Sequence, residues 1–245
     1  MSEYTASTYG DRAAARYDEI FTHPAASPAC IDFLADLAGK GPALELGIGT
    51  GRIALPLAAR GVEVHGVDSS RKMVAKMRAK KGGKRIPVTF GDFAEAPTKG
   101  SHSLVFVVFN TFFGLLTQED QVRCFENVAR RLRPGGAFVI EAFVPDLARF
   151  DRGQRTDTLH VDTDVVQMQA TVHDAMTQLV RTQAFVFERG KWSAYPLRIR
   201  YAWPSELDLM ARIAGLRLRE RWSGWTRTPF TSASGAHVSV WEKPR

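Results

Sequence analysis

Cysteine is almost absent from this chain: Cys30 and Cys124 are the only two among 245 residues. Two thiols so placed make neither a disulfide framework nor a zinc-ligand spacing, so a reducing cytoplasm is the expected setting and no metal is expected. No apolar run approaches the ~20 residues that span a bilayer, so no membrane partner is expected. The opening Met-Ser-Glu-Tyr-Thr lacks a basic segment followed by an apolar stretch, and no secretory leader is expected. Internal repeats and low-complexity tracts are missing, which excludes solenoids and biased linkers. No Gly-Lys-Ser/Thr occurs, which excludes a P-loop.

Apolar residues and positive charge are both plentiful. Hydrophobic side chains make up 44% of the chain, enough for a sizeable core. Lys and Arg number 33 against 26 Asp and Glu, a formal charge of +7. Such a balance suits a nucleic acid, a membrane surface or an acidic substrate. The basic residues are scattered, however, apart from Arg78-Ala79-Lys80-Lys81 and Lys84-Arg85. No basic–aromatic module accompanies them, so nucleic acid is not the expected partner.

Short strands alternate with amphipathic helices from about residue 28 to 143. Helices are predicted over 28–37, 52–60, 70–80 and 118–132, and strands over 43–46, 62–67, 87–90, 104–109 and 137–143, with Pro134-Gly135-Gly136 as a turn. This rhythm implies βαβ units and a parallel sheet that binds ligands beyond the carboxyl ends of its strands. After residue 144 the period changes to two, and residues 150–203 read as an antiparallel insertion. A helix over 204–214 and strands over 216–222 and 237–241 close the chain. Four segments follow: an N-terminal cap over 1–27, a core over 28–149, the insertion over 150–203, and a final helix and hairpin over 204–245.

The strongest local signal is Leu44-Glu45-Leu46-Gly47-Ile48-Gly49-Thr50-Gly51-Arg52, a glycine loop between a strand and a helix. Glycines there allow a tight turn and a close approach to a ligand. Arg52 stands where a dinucleotide fingerprint wants a small residue, which argues against a nicotinamide dehydrogenase. Asp68 ends the second strand about 20 residues on, where an acidic group accepts from ribose hydroxyls. It also suits an N-cap, with Ser69 and Ser70 as alternatives. Gly91-Asp92-Phe93 ends the third strand and is either an adenine-binding turn or an ordinary turn.

Taken together, Leu44 to Gly51, Val67-Asp68-Ser69-Ser70, Gly91-Asp92-Phe93 and Leu132-Arg133-Pro134-Gly135-Gly136 resemble, in order and spacing, four motifs of class I S-adenosylmethionine-dependent methyltransferases. The resemblance implies an α/β, doubly wound Rossmann-like sheet of seven strands with the last strand antiparallel, plus the antiparallel insertion. S-adenosylmethionine is the implied cofactor. Carried over by position, Glu45, Gly47, Gly49, Gly51 and Arg52 would meet its methionine end, Asp68 and Ser69 the ribose, and Gly91, Asp92 and Phe93 the adenine. Met73, Phe109 and Asn110 complete that contact set. Tyr17-Asp18 resembles a tyrosine motif that closes over the cofactor in small-molecule members, and Tyr9 is a second candidate. Ordinary helix packing is the alternative for both tyrosines.

The implied reaction is methyl transfer to an oxygen or nitrogen of a small-molecule acceptor. Asn110 and Thr111 beside Phe109, Phe112 and Phe113 make a suitable pocket past the fourth strand. Candidate catalytic residues are Tyr17, Asn110, Glu141 and His160. His160, Asp162 and Asp164 are expected on one face of an insertion strand, as a proton acceptor or a metal cluster over the pocket, or simply as a solvated face. Arg198, Arg200, Arg217, Arg219 and Arg221 either attract an acidic acceptor or are solvated. The insertion is loosely similar to an added layer in deoxysugar amino-methyltransferases, where it contributes a pocket wall and a dimer surface, so a homodimer is an expectation. A methyltransferase acting on RNA or protein, and a non-catalytic cofactor binder, remain as alternatives.

Overall fold

The computed structural model describes residues 4–20 and 27–245; the parts of the N-terminal cap at 1–3 and 21–26 lie outside the described residues. Two sheets organise the rest. The larger has seven strands: β1 (Ala43–Leu46), β2 (Val64–Asp68), β3 (Val88–Phe90), β4 (His102–Val107), β5 (Leu132–Phe143), β10 (Arg217–Trp222) and β11 (Ala236–Glu242). The smaller holds β6 (Gln154–Val161), β7 (Val165–Asp174), β8 (Leu179–Glu188) and β9 (Lys191–Arg200).

In the larger sheet the order is β10-β11-β5-β4-β1-β2-β3. Strands β1 to β5 pair parallel, while β11 runs antiparallel to both β5 and β10. Every residue of β1 and β4 is buried, as a central parallel pair covered on both faces requires. The chain leaves β1 toward β2 and β3 on one side and returns as β4 and β5 on the other. Their carboxyl ends therefore flank the crevice where such sheets bind ligands.

Helices cover both faces. The helices α3 (Pro28–Ala38), α4 (Ala54–Ala59) and α5 (Arg71–Ala79) pack one side around Phe33, Leu57 and Met77. The other side, under α6 (Gln118–Arg131) and α7 (Pro204–Ile213), is filled by Phe125, Phe138 and Trp241. Local chemistry sets the boundaries. Ser27 accepts the N–H of Cys30 ahead of Pro28, Ser70 that of Met73, and Thr117 that of Asp120. Each is a side-chain N-cap, and α6 adds acidic residues in its first turn and arginines in its last. Cys124 is wholly buried, as its place beside Phe125 suggests.

Ahead of α3, α1 (Thr8–Ala13) and α2 (Tyr17–Ile20) lie across the sheet's carboxyl rim. Ala13, Ala14 and Met73 are buried together, with Tyr9, Tyr17 and Tyr195 around them, so α1 is held between α5 and β9.

Several expected boundaries move, each for a local reason. The predicted helix over 52–60 starts only at Ala54, because Gly51 at φ +75° turns the chain and leaves Arg52 in the loop. The strand predicted to reach 109 ends at Val107, since Phe109 and Asn110 are both left-handed. Pro134-Gly135-Gly136 is absorbed into β5, because Gly135 donates to Lys243 O at 2.8 Å and Gly136 O accepts from Lys243 at 2.9 Å. Trp203 lies outside β9 and precedes Pro204 at the start of α7. Asp162 and Asp164 do not share a strand face with His160: β6 ends at Val161, and residues 162–164 form the hairpin turn.

Candidate functional site

The glycine loop leaves β1 at the β1–β4 crevice, and Asp68 locks it. Gly49 donates its N–H to Oδ2 of Asp68 at 2.7 Å, and Ser70 donates to Oδ1 at 2.7 Å. One carboxylate thus joins the loop to the end of β2 and the start of α5. Burial raises the Asp68 pKa, and the two amide hydrogen bonds oppose that rise. Gly47 needs its glycine doubly: φ is +72°, and a Cβ would stand 2.6 Å from Cγ2 of Thr111.

Beneath the loop, Glu45 is 3% exposed and its Oε2 has no hydrogen-bond partner. Burial lifts its pKa well above the carboxylate range. Beside the loop, the guanidinium of Arg52 lies 5.1 Å from the ring centre of Tyr17 and 5.3 Å from that of Phe109. Tyr9 meets Tyr17 edge-on at 6.4 Å. Burial raises both phenol pKa values, so both hydroxyls keep their protons at neutral pH.

The cap is tied down at two further points that the sequence did not reveal. Thr50 donates to Oδ1 of Asp18 at 2.7 Å, Lys80 reaches Oδ2 at 2.8 Å, and Arg52 approaches at 3.9 Å. Ser70 donates its hydroxyl to Asp11 at 2.7 Å. Tyr17-Asp18 was legible as a motif, but only the fold shows that Asp18 is its anchor.

Past β4 the backbone is unusual. Phe109 and Asn110 have φ of +58° and +59°, a costly state for a phenylalanine. Glu141 on β5 holds it: Oε2 accepts the N–H of Phe109 at 3.0 Å and Oε1 the indole N–H of Trp225 at 3.1 Å. Asn110 Oδ1 accepts the N–H of Phe143 at 2.7 Å. Asp92 accepts the N–H of Ala94 at 2.8 Å, capping a short turn, and Phe93 packs half-buried against the α6 side of the core. Gly91 donates to Asp68 O at 3.2 Å, and Ser69 follows Asp68 directly.

Glu45, Gly47, Gly49, Gly51, Arg52, Asp68, Phe109, Asn110, Tyr9, Tyr17 and Met73 therefore surround one rim. His160 is not with them: it is exposed, paired in register with Gln167 near the end of β6. Of the arginines expected to be solvated or to attract an acid, Arg200 and Arg221 are committed to internal partners, while Arg217 is exposed and pairs at the surface. Arg200 is 5% exposed and bonded to Gln121, Gln178 and Glu206, Arg221 pairs with Asp208, and Arg217 with Glu242.

Between α1 and the second sheet lies a cavity of about 940 Å³, with Tyr4, Thr8 and Arg12 on one wall and Arg155, Thr171 and Thr182 among the residues on the other. Among the described residues no helix is long and apolar enough to cross a membrane.

The site's residues suit a nucleoside-bearing sulfonium: glycines that admit close approach, an acidic group at the end of β2, and an unpartnered buried carboxyl oxygen on Glu45. Comparison with known proteins agrees. A methyltransferase-domain family model matches residues 43–136. A cypemycin N-terminal methyltransferase from a Streptomyces species is 29% identical over 82% of each chain. The sugar N-methyltransferase KedS8 from Streptoalloteichus, at 16% identity and a TM-score of 0.70 over 100% of this chain and 99% of its own, shares the fold. The CcbJ methyltransferase from Streptomyces caelestis is 39% identical, with a TM-score of 0.90 over 99% of this chain and 100% of its own. That likeness runs from end to end, and the chain belongs to the class I S-adenosylmethionine-dependent methyltransferases, with S-adenosylmethionine as its cofactor.

Proposed function

We propose that the enzyme methylates an amine nitrogen of a small-molecule acceptor. The observation that carries this reading is the state of the carboxylates around the rim. Glu141 is engaged as a brace by the N–H groups of Phe109 and Trp225, Asp68 is engaged by those of Gly49 and Ser70 at the ribose end, and burial disfavours the charged form of Glu45. Tyr17 keeps its proton, and His160 lies away on β6. A hydroxyl acceptor would gain from a positioned base, whereas a neutral amine attacks with its own lone pair. One relative is named for methylating the N-terminus of cypemycin, and KedS8 is named a sugar N-methyltransferase.

Bound S-adenosylmethionine supplies an electrophilic methyl group. The chain supplies alignment and exclusion of water. Each oxygen of Asp68 retains a lone pair beyond its amide bond, enough to accept from a ribose hydroxyl, with Ser69 adjacent. Arg52 would pair with the cofactor's carboxylate, and Glu45, Gly47, Gly49 and Gly51 would line its methionine end. Gly91, Asp92 and Phe93 would contact the adenine, with Met73 on the cap side. Tyr9 and Tyr17 cover the cleft and keep water out. Phe109 and Asn110 orient the acceptor, which enters from the cavity under the second sheet. The 150–203 segment serves as the acceptor wall.

Calorimetric titration with S-adenosylmethionine and its demethylated product, on wild type and Asp68→Ala, tests the cofactor site. Transfer of a labelled methyl group to matched amines and phenols tests the acceptor atom. Micromolar binding weakened by Asp68→Ala, with amines methylated, is the expected result. Absence of binding overturns the site, and methylation of phenols alone overturns the nitrogen assignment.

A further inference from the structure

We propose that the cavity between α1 and the second sheet holds an anionic group of the acceptor, a carboxylate or a phosphate, through Arg12, Arg149 and Arg155. The acceptor's role in this statement rests on the methyltransferase reading; the anion site itself does not.

Register shows which face of the second sheet forms the cavity floor. Arg155, Thr171, Thr182 and Leu197 are cross-strand neighbours in one row, and Asp157, Gln169, Ala184 and Tyr195 form the next row on the same face. Tyr195 packs with Ala13, Ala14, Tyr9 and Tyr17, so this face looks toward α1 and the cap. Thr8 and Arg12, one turn apart on α1, line the cavity opposite. Arg149 comes from the turn that leads into β6 and also lines it.

The charge is unbalanced. Five arginines line the cavity (Arg12, Arg149, Arg155, Arg181 and Arg198) against one lining carboxylate, Asp151, with Asp157 in the next row of the floor. Arg155 is in direct ion-pair contact with Asp157, which also accepts from Gln169 at 2.9 Å and feels the charge of Arg149. Arg198 instead covers the ring of Tyr4 at 4.8 Å, and Tyr4 accepts its N–H at 3.2 Å, which fixes the wall at the edge of β9. Arg181 and Arg198 belong to the opposite face of the sheet, so Arg155 is the strand arginine on the floor, with Arg12 on α1 and Arg149 in the turn before β6 lining the same cavity. That floor is polar: Thr171 is buried, and its hydroxyl lies 3.1 Å from that of Thr182. Guanidinium forks over hydroxyls match a carboxylate or phosphate in geometry as well as charge. The row nearest the cap contains Tyr195, so an anion held here leaves the rest of its molecule facing the tyrosines over the cofactor cleft.

The test is calorimetry on protein saturated with the demethylated cofactor, using inorganic phosphate, pyrophosphate and succinate as probes. Wild type is compared with Arg12→Gln, Arg155→Gln and Arg219→Gln, the last being exposed on β10 of the other sheet. The expected result is saturable one-to-one binding of a probe, weakened at least tenfold in Arg12→Gln and Arg155→Gln and unchanged in Arg219→Gln. Cofactor-product affinity should stay the same in all three variants. Preference for phosphate or pyrophosphate over succinate identifies a phosphate-bearing acceptor, and the reverse a carboxylate. No saturable binding of any probe, or equal weakening by Arg219→Gln, overturns the anion site. Loss of cofactor-product binding in wild type would instead overturn the methyltransferase reading.

Discussion

Glu141 on β5 accepts the backbone N–H of Phe109 at 3.0 Å across the rim, holding a phenylalanine at φ +58°. The same carboxylate takes the indole N–H of Trp225. Removing it leaves two donors without their acceptor, each costing about 1–3 kcal/mol where water cannot replace it. Glu141→Ala is therefore expected to lose about 2–6 kcal/mol of stability, a fall in Tm of roughly 4–24 °C for a domain near this size. Turnover should fall further than stability at assay temperature, because Phe109 also flanks Arg52. Thermal melts and single-turnover rates check this; an unchanged melt would mean the brace carries no energy.

That brace also marks the limit of what the sequence could tell. The glycine loop, Asp68 and the period of the core were legible because each is local: a turn that needs glycine, a strand end, a run of buried residues. The change to period two after residue 144 likewise announced the second sheet. Left-handed Phe109 was not legible, since nothing in Phe109-Asn110-Thr111 demands that conformation and its support comes from β5 and Trp225. The same holds for Arg200, whose partners Gln121, Gln178 and Glu206 come from α6, the turn before β8 and α7. His160 and the two aspartates looked like one face because an unbroken strand was assumed. A turn at 162–164 cannot be read from alternation alone.

Gly47 is expected to reject a side chain for two separable reasons. Alanine there must adopt φ +72° and meets Cγ2 of Thr111 at 2.6 Å. Gly49 has φ +55° but no neighbour closer than 3.9 Å, so alanine there suffers mainly backbone strain. Gly47→Ala should thus weaken cofactor binding more than Gly49→Ala. Adding Thr111→Ser removes the clashing methyl and should restore part of the loss in Gly47→Ala and none in Gly49→Ala. Calorimetry on the four variants decides it, and equal effects of Thr111→Ser in both backgrounds would refute the steric account.

Asp18 anchors the cap from an exposed position. Burial pushes its pKa up, but hydrogen bonds from Lys80 and Thr50, with the charges of Lys80 and Arg52, outweigh that and hold it below the usual value of 3.8. Its contribution is therefore complete above that value and is lost as pH falls through the lower folded value. Because the pair is exposed, Asp18→Asn should leave the Tm close to wild type. Its effect should fall on the cap instead: faster proteolysis before residue 20 and several-fold weaker cofactor binding. Wild-type protease resistance in Asp18→Asn would remove Asp18 from the role of anchor.

His237 gives the protein an acid sensitivity unrelated to its carboxylates. It lies in β11 at 0% exposure, with Nδ1 2.8 Å from the hydroxyl of Ser239 and Nε2 without a partner. Burial, helped by the charge of Arg221, pushes its pKa down from 6.5 to about 4. The folded state thus refuses a proton that the unfolded state accepts. Above pH 6.5 both states are neutral and the group contributes no pH dependence. Between about pH 6.5 and 4 only the unfolded chain binds the proton, so stability falls with pH. Below about 4 both are protonated and the loss levels off at roughly 3 kcal/mol. His237→Gln carries no titrating group and keeps an amide for Ser239. Urea unfolding of both proteins from pH 7.5 to 4 should show wild type losing its stability advantage over the variant across that window. A constant difference would mean that His237 titrates alike in the folded and unfolded states.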